Sequence, residues 1–409
     1  MKLFADFHIH GPYARACSKN TTIDLMEKNA RIKGLNILGI GDCLHPKWFD
    51  EINSKLTEDE TGILWSKNKF PFIWQSEISL MYSHNDKGRR IHHIILYPNK
   101  DSVIQVRDLL LKHGRLDYDG RPIFGINSIE FVDMMRSVSE DIEIIPAHVW
   151  TSWFSIFGSK SGFDSVEECF EDRAKHIHAL ETGISSNILM NRRISKLDKY
   201  KLVSFSDPHS MHPSRLGRES TLFDFKKISY KNIVNALRFD NGLVGTIESP
   251  PAYGKYHIDG HRACNVFMNF SESKKLNKIC PICNKEMTIG VEYRIEELAD
   301  REIPKNIPYF VEVIPLHELI AAFYGIKALS SKKVEEVYSI LIKNFGNEYN
   351  VLLNVLFDKL KMVIDENLAR IIILNRENKI KINPGYDGVY GTLKLNFKVS
   401  KSQKNLSDF

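Results

Sequence analysis

The chain has 409 residues, 43% hydrophobic and 26% charged, with a formal net charge of +5. That length supports a large core and two or three domains, and that charge permits polyanion binding without demanding it. No stretch reaches the apolar length of a membrane span and the start has no basic lead or cleavable apolar run, so a cytoplasmic protein is expected. Six cysteines, two of them in one CxxC, are too few and too uneven for a disulfide framework and point to a metal.

The first predicted element is a buried strand, Lys2-Leu3-Phe4-Ala5-Asp6-Phe7-His8-Ile9-His10. Side chains alternate along a strand, so Asp6, His8 and His10 share one face, and together they form an N/O ligand set for zinc, manganese or iron. Thr21 or Thr22 can then cap a helix through Leu25, Met26, Asn29 and Ile32, which Gly34 ends. Further strands are predicted over 35–42, 70–77, 90–97, 143–148, 178–183 and 202–209. They end on or carry Asp42, Glu77, His92-His93, His148, Glu181, Asp207 and His209. Strands alternating with helices give an α/β fold. Parallel strands of such a fold deliver their carboxyl-end residues to one mouth, where these groups would form a site for more than one divalent metal. His92 and His93 are adjacent and so point to opposite faces of their strand, while His84, His113, His176 and His212 are read as ordinary structural histidines.

Between 250 and 290 the rhythm changes. His261, Cys264, Cys280 and Cys283 form an HxxC…CxxC pattern that suits a closed tetrahedral zinc ribbon of structural role, with His257 a poorer fit than His261. From 291 onward the pattern is helical. Pro315 starts a helix that Gly325 ends, Ser330 can cap another running to Gly346, a third carries Val351, Leu352, Val355, Leu356 and Leu360, and a fourth follows from Glu366. Residues 384–391 form a glycine-rich turn without the Lys-Ser/Thr of a phosphate loop. In the polar tail, Gln403, Leu406 and Phe409 form a Q-x-x-L-x-x-F box that resembles a sliding-clamp-binding motif, with Leu406 and Phe409 on one side of a helical turn. The expected domains are 1–250, 251–295, 296–400 and the tail 401–409.

His8-Ile9-His10, Gly41-Asp42, Glu77, His93, His148 and Asp207-Pro208-His209, in this order, resemble the polymerase and histidinol phosphatase (PHP) family. The resemblance implies a distorted seven-stranded β/α barrel with a multi-metal phosphoesterase site. His8, His10, Glu77 and Asp207 would hold one metal, Glu77, His93 and His148 a second with Glu77 bridging, and Asp42 with His209 would belong to a third. Ala16 and Cys43 stand where many members carry histidines, which weakens the third site, and His45 lies nearby as a substitute. Asp6 and Glu181 can act as ligands or orient an imidazole.

The order of barrel, zinc ribbon, helical domain and clamp box is similar to the endonuclease Q branch of that family. Local strings over 29–35, 146–148, 212–219 and 254–257 add to the similarity. It implies a DNA repair endonuclease that hydrolyses the phosphodiester on the 5′ side of deaminated bases (hypoxanthine, uracil, xanthine) or abasic sites by a multi-metal activated water. Catalysis would centre on Asp207, Glu77 and His209, with Arg215 and Arg218 on DNA phosphates. Zinc is implied in the ribbon and the active site, with magnesium or manganese as the alternative in the latter. The partners would be damaged double- or single-stranded DNA and a replication sliding clamp. The competing reading is a PHP-family phosphatase of a small phosphomonoester, which leaves the ribbon and tail without a role.

Overall fold

In the computed structural model, residues 1–239 and 241–395 are described. The clamp box at Gln403, Leu406 and Phe409 therefore lies outside the described residues. Ten strands carry the architecture: β1 Lys2–Asp6, β2 Ile37–Gly39, β3 Pro71–His84, β4 Lys87–Tyr97, β5 Glu143–Pro146, β6 Ala179–Glu181, β7 Lys201–Val203, β8 Ser220–Asp224, β9 Leu243–Glu248 and β10 Tyr309–Glu312. β1, β2 and β3 run parallel. β4 turns back on β3 through a two-residue hairpin whose residues Asn85 and Asp86 both have positive φ, 49° and 58°. Such turns match the twist of antiparallel strands, and here they set a long register from Trp74↔Tyr97 to His84↔Lys87.

Leu3 and Ala5 of β1, Ile37 of β2, Ile73 of β3, Ile94 and Leu96 of β4, Ile145 of β5, Ala179 of β6, Val203 of β7 and Phe223 of β8 meet in one buried cluster. Tyr230, Ile233 and Leu237 of the helix Tyr230–Phe239 complete it. Each large aliphatic side chain there contributes roughly 1.5–3 kcal/mol by leaving water. Eight strands thus share a core, while the hydrogen-bonded pairing expected of a distorted seven-stranded β/α barrel does not close among the described residues. β6 and β7 pair with each other in a separate two-stranded ladder, and several pairings of the main sheet are antiparallel. At the β7–β8 seam the Thr221 hydroxyl stands in for a ladder, accepting from Ser204 N and donating to Ser204 O, both at 3.0 Å. At the β5–β6 seam Val149 N donates to Glu181 O at 3.0 Å.

Local signals hold well elsewhere. Thr22 caps the helix Ile23–Lys33 and Gly34 ends it at φ 103°. In the last third, helices cover Leu316–Tyr324, Lys332–Phe345, Glu348–Leu353, Phe357–Leu360 and Glu366–Arg376. The second of these is capped by Ser331, one residue past the expected Ser330. The expected third helix is broken after Leu353, and the exposed Leu356 becomes a cap rather than core. β10 lies beside β9 in parallel, so the chain returns to the main sheet after the cysteine-bearing segment. No helix among the described residues is long and apolar enough to cross a membrane.

One buried ion pair joins the two ends of the chain. Lys33 Nζ donates to Glu348 Oε1 at 2.7 Å and to Pro213 O at 3.0 Å. Glu348 also accepts from Leu316 N and from the Tyr338 hydroxyl, both at 2.9 Å. Breaking such a pair from one side leaves an uncompensated buried charge, which costs about 3–5 kcal/mol. Lys33→Met is expected to lower stability by that order in urea denaturation, and adding Glu348→Gln to recover a substantial part of it.

Candidate metal centre and active site

The centre forms where β1 runs out. Beyond Asp6 the chain carries His8 and His10 past the core, and both are fully buried. Gly41 makes the next approach possible: its φ is 71°, and a Cβ there would lie 2.8 Å from Ile9 O. Asp42 thereby comes against His10, accepting from His10 Nδ1 at 3.2 Å and from Gly11 N at 2.7 Å. Asp42, His148 and Asp207 all sit at positive φ (44°, 31° and 43°), a conformation that costs side-chain-bearing residues of order 1–3 kcal/mol and clusters at functional sites.

Glu77, in the middle of β3, occupies the middle of the centre. Its Oε2 lies 3.5 Å from His8 Nε2, 3.2 Å from His10 Nε2 and 3.1 Å from Arg121 Nη1. Its Oε1 lies 2.6 Å from His92 Nδ1 and 3.4 Å from His148 Nε2. Asp207 closes the first side, with Oδ1 3.0 Å from His10 Nε2 and 3.7 Å from His8 Nε2. Two groups of ligand-capable atoms result, His8–His10–Asp207 and Glu77–His92–His148. Glu77 presents one oxygen to each.

The orientation of these groups fits metal binding. His8 Nε2, Glu77 Oε1 and His92 Nδ1 are buried without hydrogen-bond partners, although they crowd one another. Lone pairs that face each other at such distances, in a mixed imidazole and carboxylate set, are what a borderline divalent ion satisfies. Behind them stand orienting carboxylates. Glu181 accepts from His8 Nδ1 at 3.0 Å and from His148 N at 2.6 Å. Asp6 holds the Asp207 segment by accepting from the amides of Ser206 and Gly217 at 3.0 and 3.1 Å.

Charge balance follows from this packing. Burial pushes His8 and His10 toward neutrality, but the carboxylates around them (Glu181, Asp207 and Glu77 at His8; Asp42, Asp207 and Glu77 at His10) hold both well above the ordinary histidine value. Burial likewise opposes ionisation of Glu77, yet His92, Arg121 and His8 keep it well below the carboxylate range. Asp207 is depressed against its burial by His8 and His10. His92 is lowered to about 4 by burial, partly offset by Glu77.

His93 is the clear correction. It was expected on the site face; instead it is buried between the rings of Phe131 and Phe170, and burial lowers it to about 3. The hairpin register explains the exchange. Glu77 faces Ile94 and Ser79 faces His92, so alternation puts His92 beside Glu77 and turns His93 away. Asp42 and His209 form no ligand group among the described residues: Asp42 backs His10, and the half-exposed His209 ring stands 5.1 Å from that of His10. His45 stacks on Tyr13 instead of joining the centre. Arg121 lies in an irregular segment after a turn, where no periodicity singles it out. The parity of His92 is set by the two-residue Asn85-Asp86 turn.

Above the centre is a cavity of about 490 Å³ lined by His148, Glu181, Asp207 and His209, and by Phe205, Arg215, Arg218, Lys255, Tyr256 and Tyr390. Arg218 Nε donates to Ser206 O at 2.9 Å, while Arg215 lies 3.6 Å from Glu318. Separately, His261, Cys264, Cys280 and Cys283 bring their ligand atoms within 4.8 Å of one another. A hairpin of Asp259–His261 on Val266–Met268 carries the first two, and the 280–283 turn carries the others. The backbone amides of Cys283 and Ile282 outweigh burial and bring the Cys280 thiol down to about 6, which favours the thiolate.

The fold and centre define a mixed α/β protein with histidine–carboxylate and cysteine–histidine clusters able to hold metal. The MJ0043 C-terminal domain family model matches residues 315–379. The protein MJ0043 of Methanocaldococcus jannaschii is 34% identical over 259 residues, and the matched part is 62% of this chain but about a third (32%) of that protein. The crystal structure of the lesion-specific endonuclease PfuEndoQ from Pyrococcus furiosus superposes with a TM-score of 0.86 at 30% identity, over 97% of this chain and 96% of that one. An endonuclease Q in complex with a 27-mer duplex bearing an abasic lesion at the active site gives 0.86 and 31%, over 97% of both chains. The chain belongs to the endonuclease Q family.

His92→Ala is expected to lower bound active-centre metal, measured by elemental analysis of the purified protein, whereas His93→Leu keeps it. Asp42→Asn, which removes the orienting charge behind His10, is expected to weaken metal affinity about 10–100-fold in chelator competition.

Proposed function

We propose that this protein is a DNA repair endonuclease that hydrolyses the phosphodiester on the 5′ side of deaminated bases or abasic sites. The observation that carries the reading is the shared Glu77, with a ligand group on either side, beneath a cavity walled by arginine, lysine and aromatic side chains. The neighbour with an abasic duplex at its active site supports the choice of substrate.

His8, His10, Glu77 and Asp207 would hold one metal and Glu77, His92 and His148 a second, with zinc the best match and magnesium or manganese the alternatives. Metals held there would supply an acidified water and neutralise phosphate charge. Glu181 and Asp42 keep His8 and His10 directed at the centre. Arg121 carries a permanent charge beside Glu77 and can take a phosphate oxygen in charge-assisted hydrogen bonds. His209, at the cavity edge, can give a proton to the departing 3′ oxygen. Arg215, Arg218 and Lys255 offer phosphate contacts, which position DNA without reading sequence. Phe205, Tyr256 and Tyr390 offer apolar and aromatic surface to a nucleotide turned out of the stack, and the cavity falls in the roughly 300–1,000 Å³ range of ligand pockets. The cysteine–histidine cluster acts as a structural zinc ribbon beside that wall. The box of Gln403, Leu406 and Phe409 would tether the enzyme to a sliding clamp and so to the nucleoid.

Duplexes with a single hypoxanthine, uracil, xanthine or abasic site, incubated with the protein and divalent metal, are expected to be incised on the 5′ side of the lesion. Chelation should stop incision and added metal restore it. Asp207→Ala is expected to abolish cutting while lesion-duplex binding in gel shifts persists. Turnover of a small phosphomonoester with no incision of any duplex would replace this reading with the phosphatase one.

A further inference from the structure

A third convergence of ligand-capable side chains lies away from both clusters described so far. His212 follows Asp207 and His209 in the chain, His317 is in the first turn of the helix Leu316–Tyr324, and Glu335 is in the first turn of the helix Lys332–Phe345. Their ligand atoms lie within 4.8 Å of one another. Nε2 of both imidazoles lies close to the same oxygen, Glu335 Oε1, at 3.1 Å for His212 and 3.3 Å for His317.

These contacts are not hydrogen bonds. Glu335 Oε1 and both ring nitrogens of His317 have no hydrogen-bond partner, and His317 has no exposed surface. Leaving a buried polar group unsatisfied costs about 1–3 kcal/mol. The His317 ring packs against Tyr338 at 3.8 Å and against His212 at 5.0 Å between centroids. A simple ion pair would turn one N–H toward the carboxylate. Three ligand-capable atoms gathered within 4.8 Å without hydrogen bonds among them suit a bound cation instead, as at the Glu77 centre.

We propose that His212, His317 and Glu335 form a further divalent-metal site, of the zinc type, that clamps the segment behind Asp207 and His209 to the helical part of the chain. Two imidazoles and a carboxylate are a borderline donor set that suits zinc, cobalt or nickel better than magnesium or calcium. Three protein ligands leave a position for water. The site is built at a seam that is already fixed, since Asn29 Nδ2 donates to Met211 O and the Tyr349 hydroxyl to Gly217 O on either side of His212.

The test uses full-length protein equilibrated with zinc, desalted, and analysed for metal per chain and for the rise in Tm on adding zinc to chelator-treated samples. His212 and Glu335 are both partly exposed, so substitution there spares the core. His212→Gln and Glu335→Gln are each expected to lose one zinc per chain and to blunt the zinc-dependent Tm rise. Glu335→Gln combined with Cys264→Ser should lose the two contributions additively, since the sites are separate. An unchanged zinc count and Tm response in His212→Gln and Glu335→Gln would overturn the proposal and leave a histidine–carboxylate pair only. His317→Leu decides in the same way: folded by circular dichroism and one zinc short supports it, folded with the full count refutes it.

Discussion

A carboxylate without exposed surface, Glu77, is met within 3.5 Å by His8, His10, His92, His148 and Arg121, and the rest of the centre is arranged around that fact. An isolated buried charge carries a desolvation penalty of several kcal/mol, and only partners of opposite sign or a metal repay it. Arg121 supplies a permanent charge. The imidazoles supply charge or lone pairs depending on what binds between them. One residue therefore fixes the sign of its surroundings and, through its two oxygens, connects two groups of ligands. Asp42, Glu181 and Asp6 then have a common purpose, since each holds a ring or a loop in the direction Glu77 requires.

That arrangement needs a scaffold that brings distant segments to one place without moving. The shared core of eight strands provides it even though the ladder is open. Where backbone pairing stops, Thr221 bridges one seam with two hydrogen bonds to Ser204 and the Val149 amide bridges the other, so the strands delivering His148, Glu181 and Asp207 stay joined across the open seams. Positive φ at Asp42, His148 and Asp207 marks the same edge of the sheet, where the backbone leaves regular structure to aim a side chain. The buried Lys33–Glu348 pair extends this fixation to the last third of the chain.

Much of this was legible because it is local. Alternation after β1 brought His8 and His10 together, Thr22 and Gly34 marked a helix, and the CxxC with its partner knuckle located the cysteine–histidine cluster. What failed was what depends on pairing. The strand over 90–97 was placed correctly, but which of His92 and His93 faces Glu77 is decided by the register of an antiparallel hairpin, and a register slip of one exchanges the faces. Arg121 was hidden because a residue in an irregular segment carries no periodicity. His212 reads as an ordinary histidine in the sequence for a related reason: its two companions lie more than a hundred residues later, on helices whose apolar faces explain themselves without it.

The same logic separates the two readings of the centre. A site complete within the first 250 residues would have walls built from those residues alone. Here Lys255, Tyr256 and Tyr390 line the cavity over Asp207 and His148, and Gly385 N and His257 N bond across the 252–258 and 385 segments to hold that wall together. A compact phosphomonoester would need little beyond the charged floor. Aromatic and cationic side chains drawn from three separated parts of the chain line the cavity instead, which is what the proposed nuclease reading needs. On the proposed reading, substrate choice would rest on the later segments and the chemistry on the carboxylate beneath them.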